Sequence, residues 1–232
     1  MYQLLEANPL TVFIVIAAML VTPFYILATY VFSGASAKKG AQIGTGFLIF
    51  GAIMFVVCLT AVPDRLGDPG SLVVPAVWIL PSLFLVWQRK WFLSHQLSQH
   101  WLIGLQIWRA IGGVFLLEMG PEKCAPIFAY PAGLGDLSVA VIALLVLLRY
   151  RNAGRIPARA IYLVIWVGVL DFIGAFFFGF FSSETPVQLF SHEAPNRVIY
   201  FPTGMIPLFL VPYAIFFHLL SGLNHAKFRR DG

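Results

Sequence analysis

Long apolar runs separated by short gaps constrain this chain more than any other feature. A helix needs about 20 mainly apolar residues to cross about 30 Å of hydrocarbon. Seven stretches meet that length, at roughly 10–32, 41–62, 72–91, 101–119, 131–149, 160–181 and 200–222. Pro75 and Pro81 interrupt the third. The runs are too long for strands and do not alternate polar with apolar residues, as a membrane barrel would require. The gaps leave no room for a soluble domain. The expected architecture is therefore all-α: one polytopic transmembrane bundle of seven helices over residues 1–232. Composition agrees, with 59% hydrophobic and 11% charged residues against about 45–50% and about 25% in a soluble domain. A disordered chain, an ordinary soluble enzyme and a disulfide scaffold are excluded. Cys58 and Cys124 lie in a span and a loop and have no metal-ligand spacing around them.

Positive charge sets the orientation. One set of loops carries Lys38, Lys39, Arg89, Lys90, Arg149, Arg151, Arg155, Arg159, Lys227, Arg229 and Arg230; the other carries Arg65, Lys123 and Arg197. Lys and Arg stay on the cytoplasmic side, so the N-terminus is expected outside and the C-terminus inside. Glu6, Asp64, Asp68, Glu122, Glu184 and Glu193 fall on the outer side. The net charge of +5 is then a topology signal, with contact to anionic lipid, and nucleic acid is not an expected partner. The first run reads as an uncleaved span despite the Ala35-Ser36-Ala37 triplet, because Glu6 stands where a signal peptide is basic.

Ionisable groups inside hydrocarbon are costly and normally pair within the bundle. Arg109, Asp136 and Asp171 are such groups, joined by Gln106 and His218, while Glu118 sits near the outer interface. At about 1.5 Å per residue, Gln106 lies about 8 Å from the cytoplasmic end of its span, His218 about 9 Å, Arg109 about 12 Å, Asp171 about 16 Å and Asp136 about 20 Å. Four spans thus place a ladder of polar groups at related depths. Gln106, Arg109 and Gly113 share a face at α-helical spacing, and Gly112 with Gly113 permits close helix approach. A structural clamp needs a single ion pair; convergence of two acids, an Arg, a Gln and a His points to a polar path or ligand site. In the last span Pro202 suits a helix start. Pro207 and Pro212 should each kink the helix, and the carbonyls they free must face protein, water or a ligand. Ile107-Trp108 with Tyr130-Pro131-Ala132-Gly133, set against Ile165-Trp166 with Phe201-Pro202-Thr203-Gly204, suggests tandem hairpins.

Other chemistries find little support. Retinal needs a buried lysine, and the lysines fall outside the spans. His95 and His100 are too few for a di-iron box. A haem wants axial histidines from two helices, for which His95, His100 and His218 are the weak candidates. No cofactor is required by the sequence. The aromatic run Phe176-Phe177-Phe178 with Phe180-Phe181 is explained by lipid contact or core packing.

The stretches Gln106-Ile107-Trp108-Arg109 with Gly112-Gly113, Pro131-Ala132-Gly133-Leu134-Gly135-Asp136, and Val211-Pro212 to His218 resemble parts of a family of uncharacterised bacterial multi-pass integral membrane proteins. The resemblance covers about the last 120 residues. It implies a bacterial cytoplasmic (inner) membrane setting and adds no catalytic residue. The expected function is a small-solute or proton-coupled transporter, or a binding protein, that uses Gln106, Arg109, Asp136, Asp171 and His218. Two alternatives stay open. One is a non-catalytic or cofactor-holding subunit (haem, quinone or pigment) of a larger membrane complex, with membrane-protein partners. The other is an intramembrane enzyme acting on lipid or isoprenoid.

Overall fold

The computed structural model describes residues 8–60, 73–120 and 123–228. Every regular element among them is helical, apart from isolated bridges that link Met119 and Gly120 to Cys124. The chain opens with a hairpin of α1 (Pro9–Phe32) and α2 (Ala37–Leu59). Asn8 caps α1 by accepting the Leu10 N–H at 3.0 Å, with Pro9 at the first helical position, where its missing N–H costs nothing. Ser36 caps α2 and accepts the Lys39 N–H, which gives this serine a structural role inside the Ala35-Ser36-Ala37 triplet. Lipid tails supply no hydrophobic drive between helices, so close packing must hold the pair. Gly40 and Gly44 supply it: a Cβ at Gly44 would meet the Pro23 carbonyl oxygen at 2.9 Å, and one at Gly40 the Leu27 backbone at 3.2 Å.

Next come α3 (Val73–Trp87), the single turn α4 (Arg89–Phe92) and α5 (Gln99–Ile107), which runs into a 3-10 segment (Trp108–Gly113) and the short α6 (Val114–Leu117). A second hairpin follows, α7 (Pro126–Tyr150) with α8 (Ala158–Ser182). The last helix begins as a π-helical turn (Ile206–Leu210) and continues as α9 (Val211–Phe228). This helix is the axis of the bundle. It packs against α3, α5 and α8, and its π turn against α2 and α3.

Among the described residues six helices are long and apolar enough to span a bilayer: Pro9–Phe32, Ala37–Leu59, Gln99–Leu117, Pro126–Tyr150, Ala158–Ser182 and Ile206–Phe228. Large apolar side chains such as Phe13, Phe24, Leu170 and Ile173 face outward from them, as lipid-facing residues do. The expected span 72–91 forms α3, whose 15 residues reach about 22 Å at 1.5 Å each, short of the hydrocarbon thickness. The basic Arg89 and Lys90 follow directly, and α4 is separated from it at Gln88.

The loops sort to two ends. At one end the Lys39 ammonium donates to the Trp91 carbonyl and to Ser94 Oγ, the latter at 2.6 Å. There Lys227 Nζ donates to the Leu93 carbonyl at 2.7 Å, and Asn224 holds both the N–H and the carbonyl of Leu97 at 2.9 Å. At the other end the Thr11 hydroxyl donates to Glu118, Lys123 Nζ lies 3.5 Å from Glu118, and the Arg197 N–H donates to the Lys123 carbonyl. Among the described residues the first end gathers Lys38, Lys39, Arg89, Lys90, Arg149, Arg151, Arg155, Arg159 and Lys227; the second holds Lys123 and Arg197. Glu6, Asp64, Arg65, Asp68, Glu122, Arg229 and Arg230 lie outside the described residues.

Cys124 closes the second end. It is 1% exposed, and burial, reinforced by the Glu118 charge, pushes its thiol up to about 12. Only the thiolate is an effective nucleophile. In a Cys58→Ser background, maleimide at pH 8 should therefore leave Cys124 unlabelled in the folded protein and label it after unfolding in SDS. Rapid labelling of the folded protein would contradict this packing.

Candidate functional site

Arg109 lies in the 3-10 segment, Asp136 on α7, Asp171 on α8 and His218 on α9, and the four meet near mid-bundle. Arg109 Nε donates to Asp136 Oδ1 at 2.7 Å, Nη2 donates to Asp171 Oδ2, and Nη1 donates to the Gly168 carbonyl at 3.2 Å. The planar fork of donors lets one guanidinium bridge two carboxylates on different helices. Its carbon stands 3.8 Å over the Phe172 ring, which adds a cation–π contact in a desolvated place. His218 Nε2 lies 3.5 Å from Nη1. A guanidinium only donates, so the imidazole nitrogen facing it carries the lone pair.

The backbone is cleared for these groups. A Cβ on Gly112 would strike the Asp136 carboxylate, one on Gly135 the Asp171 carboxylate, and one on Gly168 the His218 ring, with Arg109 Nη1 at 2.9 Å. Three helices thus carry glycine where a charged or polar head presses against the chain. Gly113 differs, since its Cβ would meet the Leu137 side chain at an ordinary 3.5 Å.

Gln106 does not join the cluster. It is buried, and neither its amide nitrogen nor its oxygen has a partner among the described residues. The winding tightens at Trp108, where 3.0 residues per turn advance about 120° each against about 100° in an α-helix, so Gly113 turns off the face of Gln106, while Arg109, three residues on, stays close to it and its guanidinium reaches past Gln106 to the carboxylates. The haem candidates each have their own partner: exposed His95 pairs with Ser94 Oγ at 2.9 Å, His100 Nε2 faces the Tyr150 carbonyl at 3.0 Å, and His218 faces Arg109. The proposed hairpin repeat is also not matched locally. Tyr130–Gly133 lies within α7, whereas Phe201–Gly204 is a turn ahead of the last helix, with a cis Phe201–Pro202 peptide.

In the last helix a carbonyl freed by a proline faces protein. The Val211 N–H reaches back five residues to the Ile206 carbonyl, and Pro212 has no N–H to give. The Pro207 carbonyl is left free of both, and the Trp78 indole donates to it at 2.7 Å. The π turn and α3 are joined by that bond.

A cavity of about 520 Å³ runs from the segment 183–200 down to Asp136 and Asp171. Trp78, Phe115, Phe128, Phe172, Phe176 and Phe180 form its walls. The Asp136 side chain is 10% exposed and that of Asp171 8%, against 3% for Arg109, so the carboxylates form the floor and the guanidinium lies behind them. Glu184 and Arg197, 4.0 Å apart, stand at the mouth. Asn196 also lines it, 4% exposed and with neither amide atom bonded. Sequence reasoning missed Trp78, Asn196 and the aromatic wall. Phe172, Phe176 and Phe180 follow Asp171 at four-residue spacing, the one signal that could have separated a cavity lining from a lipid face.

Fold and cluster together define a multi-pass helical membrane protein with a charged interior. The model of one family, described as Domain of unknown function (DUF8737), matches residues 70–222, and the chain belongs to that family. The matched stretch contains the whole Arg109–Asp136–Asp171–His218 cluster and excludes the α1–α2 hairpin. No curated protein and no solved structure matches the chain.

Proposed function

We propose that this protein is a proton-coupled carrier, or a binding protein, for a small solute, working in a bacterial cytoplasmic membrane with its cavity open to the outside. The observation that carries this reading is the cavity that ends on Asp136 and Asp171. A clamp that only fixed helix order would be sealed. Here both carboxylates that hold Arg109 are also reachable from one end, in a space of the size that small ligands occupy. The positive-inside rule supports the orientation, because the mouth lies opposite the basic loops.

The chemistry follows from the charges. Two carboxylates share one guanidinium, so the ionised cluster has one negative charge in excess. A proton arriving through the cavity neutralises one carboxylate and weakens its hold on Arg109. Asp171 ties α8 to the 3-10 segment, and Asp136 ties α7 to it. Protonation therefore loosens helix contacts at the point where two helices leave α geometry, the 3-10 segment and the π turn. Such irregular turns are frequent at functional hinges. Arg109 and His218 close the path towards the basic end.

In proteoliposomes under an imposed pH gradient, at least one of a panel of labelled amines, amino acids, sugars and carboxylates should accumulate. Asp136→Asn and Asp171→Asn should each abolish the gradient-driven part while the protein stays folded. Unchanged accumulation in both variants ends the proposal.

A further inference from the structure

The geometry points to an organic ammonium ion with an aromatic or apolar body as the solute of this cavity. The inference rests on the carrier reading above and adds the substrate class. Three observations carry it. First, the floor presents acceptors and no donor: Asp136 and Asp171 line the cavity, each with one oxygen committed to Arg109, while Arg109 itself does not line it. An ammonium donates three hydrogen bonds and matches the excess negative charge; a carboxylate ligand would meet repulsion.

Second, the walls are aromatic faces and edges. Phe172, Phe176 and Phe180 rise along one face of α8, with Trp78 packed edge-on against Phe172 and Phe176 at 6.1 and 5.6 Å. Phe176 and Phe180 stack at 5.6 Å. Such walls favour a cation by their quadrupole and an apolar body by contact. The guanidinium over Phe172 shows the same chemistry already at work in this bundle.

Third, Glu184 stands at the mouth with its side chain 76% exposed, against 41% for its partner Arg197 at 4.0 Å, so a carboxylate stays open to an arriving cation. The ammonium thus competes with the proton for one place, and one leaves as the other arrives.

The test is isothermal titration of the full chain in detergent micelles with three probes of one shape: 3-phenylpropylammonium, 3-phenylpropan-1-ol and 3-phenylpropionate. The ammonium should bind at least tenfold tighter than the alcohol, and the carboxylate weaker than both. Asp171→Asn should bring the ammonium to the level of the alcohol. Phe176→Leu leaves the charge cluster intact, and should weaken the ammonium several-fold while changing the alcohol less. Should Asp171→Asn not fold, the ranking of probes on the wild type and the Phe176→Leu result decide. Equal binding of all three, tightest binding of the carboxylate, or no measurable ammonium binding overturns the assignment. The two readings fail separately. Ammonium binding that depends on Asp171 but is not driven by a pH gradient leaves the substrate class standing and removes the carrier. Gradient-driven accumulation of a carboxylate or sugar does the reverse.

Discussion

Arg109→Leu should destabilise the folded protein strongly. The substitution removes the donor to Asp136 and Asp171 and strands two carboxylates in the bundle. Removing one partner of a buried ion pair costs about 3–5 kcal/mol, and here one partner serves two acids. In a membrane the unfolded chain also finds partners for its polar groups, so the lower part of that range is expected. Arg109→Lys should recover only part of the loss. A lysine ammonium is a point charge that cannot fork between carboxylates on α7 and α8, and it loses the guanidinium contact over the Phe172 ring. The informative rescue is the neutral triple variant Arg109→Leu, Asp136→Asn, Asp171→Asn. With the uncompensated charges gone, it should return to a monodisperse, folded state in detergent by gel filtration, without pH-dependent uptake. A triple variant as unstable as Arg109→Leu would mean that the charges are not what Arg109 stabilises.

Gly112→Ala should also destabilise strongly, although it adds one methyl group. That methyl would overlap the Asp136 carboxylate and its Cβ, and the backbones of the 3-10 segment and α7 stand behind the two. Relief requires α7 to move or Asp136 to leave Arg109. Overpacking a filled interior costs about 1–3 kcal/mol, and disturbance of the ion pair adds to it. The neighbouring Gly113→Ala is the control, since Leu137 stands at 3.5 Å and can absorb a methyl group. Alanine also has a better intrinsic helix propensity than glycine, by about 0.8–1.0 kcal/mol, so Gly113→Ala should be neutral or mildly stabilising. Thermal unfolding of the two variants side by side checks this. Similar losses in both would show that helix approach at Gly112 is not as close as described.

The parts of this architecture that hydropathy encodes were readable in the sequence. Of the seven long apolar runs, six coincide with helices among the described residues that match bilayer dimensions, and an arginine and two aspartates inside such runs announce that they must be satisfied within the protein. Their depths along the helices foretold that they could meet. Sequence spacing could not reveal helix winding. The 3-10 turn at Trp108–Gly113 and the π turn at Ile206–Leu210 leave the apolar pattern unchanged while rotating every residue beyond them. That is why Gly113 does not share the face of Gln106 and Arg109 that α-helical spacing predicts. Trp78 and Asn196 reach the cavity through tertiary contacts alone, one from α3 and one from the segment between α8 and the last helix. No local pattern marks either of them.

The central claim is that Arg109 and Asp171 act on each other at the floor of the cavity. A double-mutant cycle over Arg109→Leu and Asp171→Asn, read by unfolding in one detergent, measures that interaction directly. Residues in one ion-pair network couple by about 0.5–3 kcal/mol, and the account predicts a coupling above about 1 kcal/mol, with Asp171→Asn milder in the Arg109→Leu background than alone. Additive losses, within about 0.3–0.5 kcal/mol, would mean that the two side chains are satisfied separately and would contradict the account.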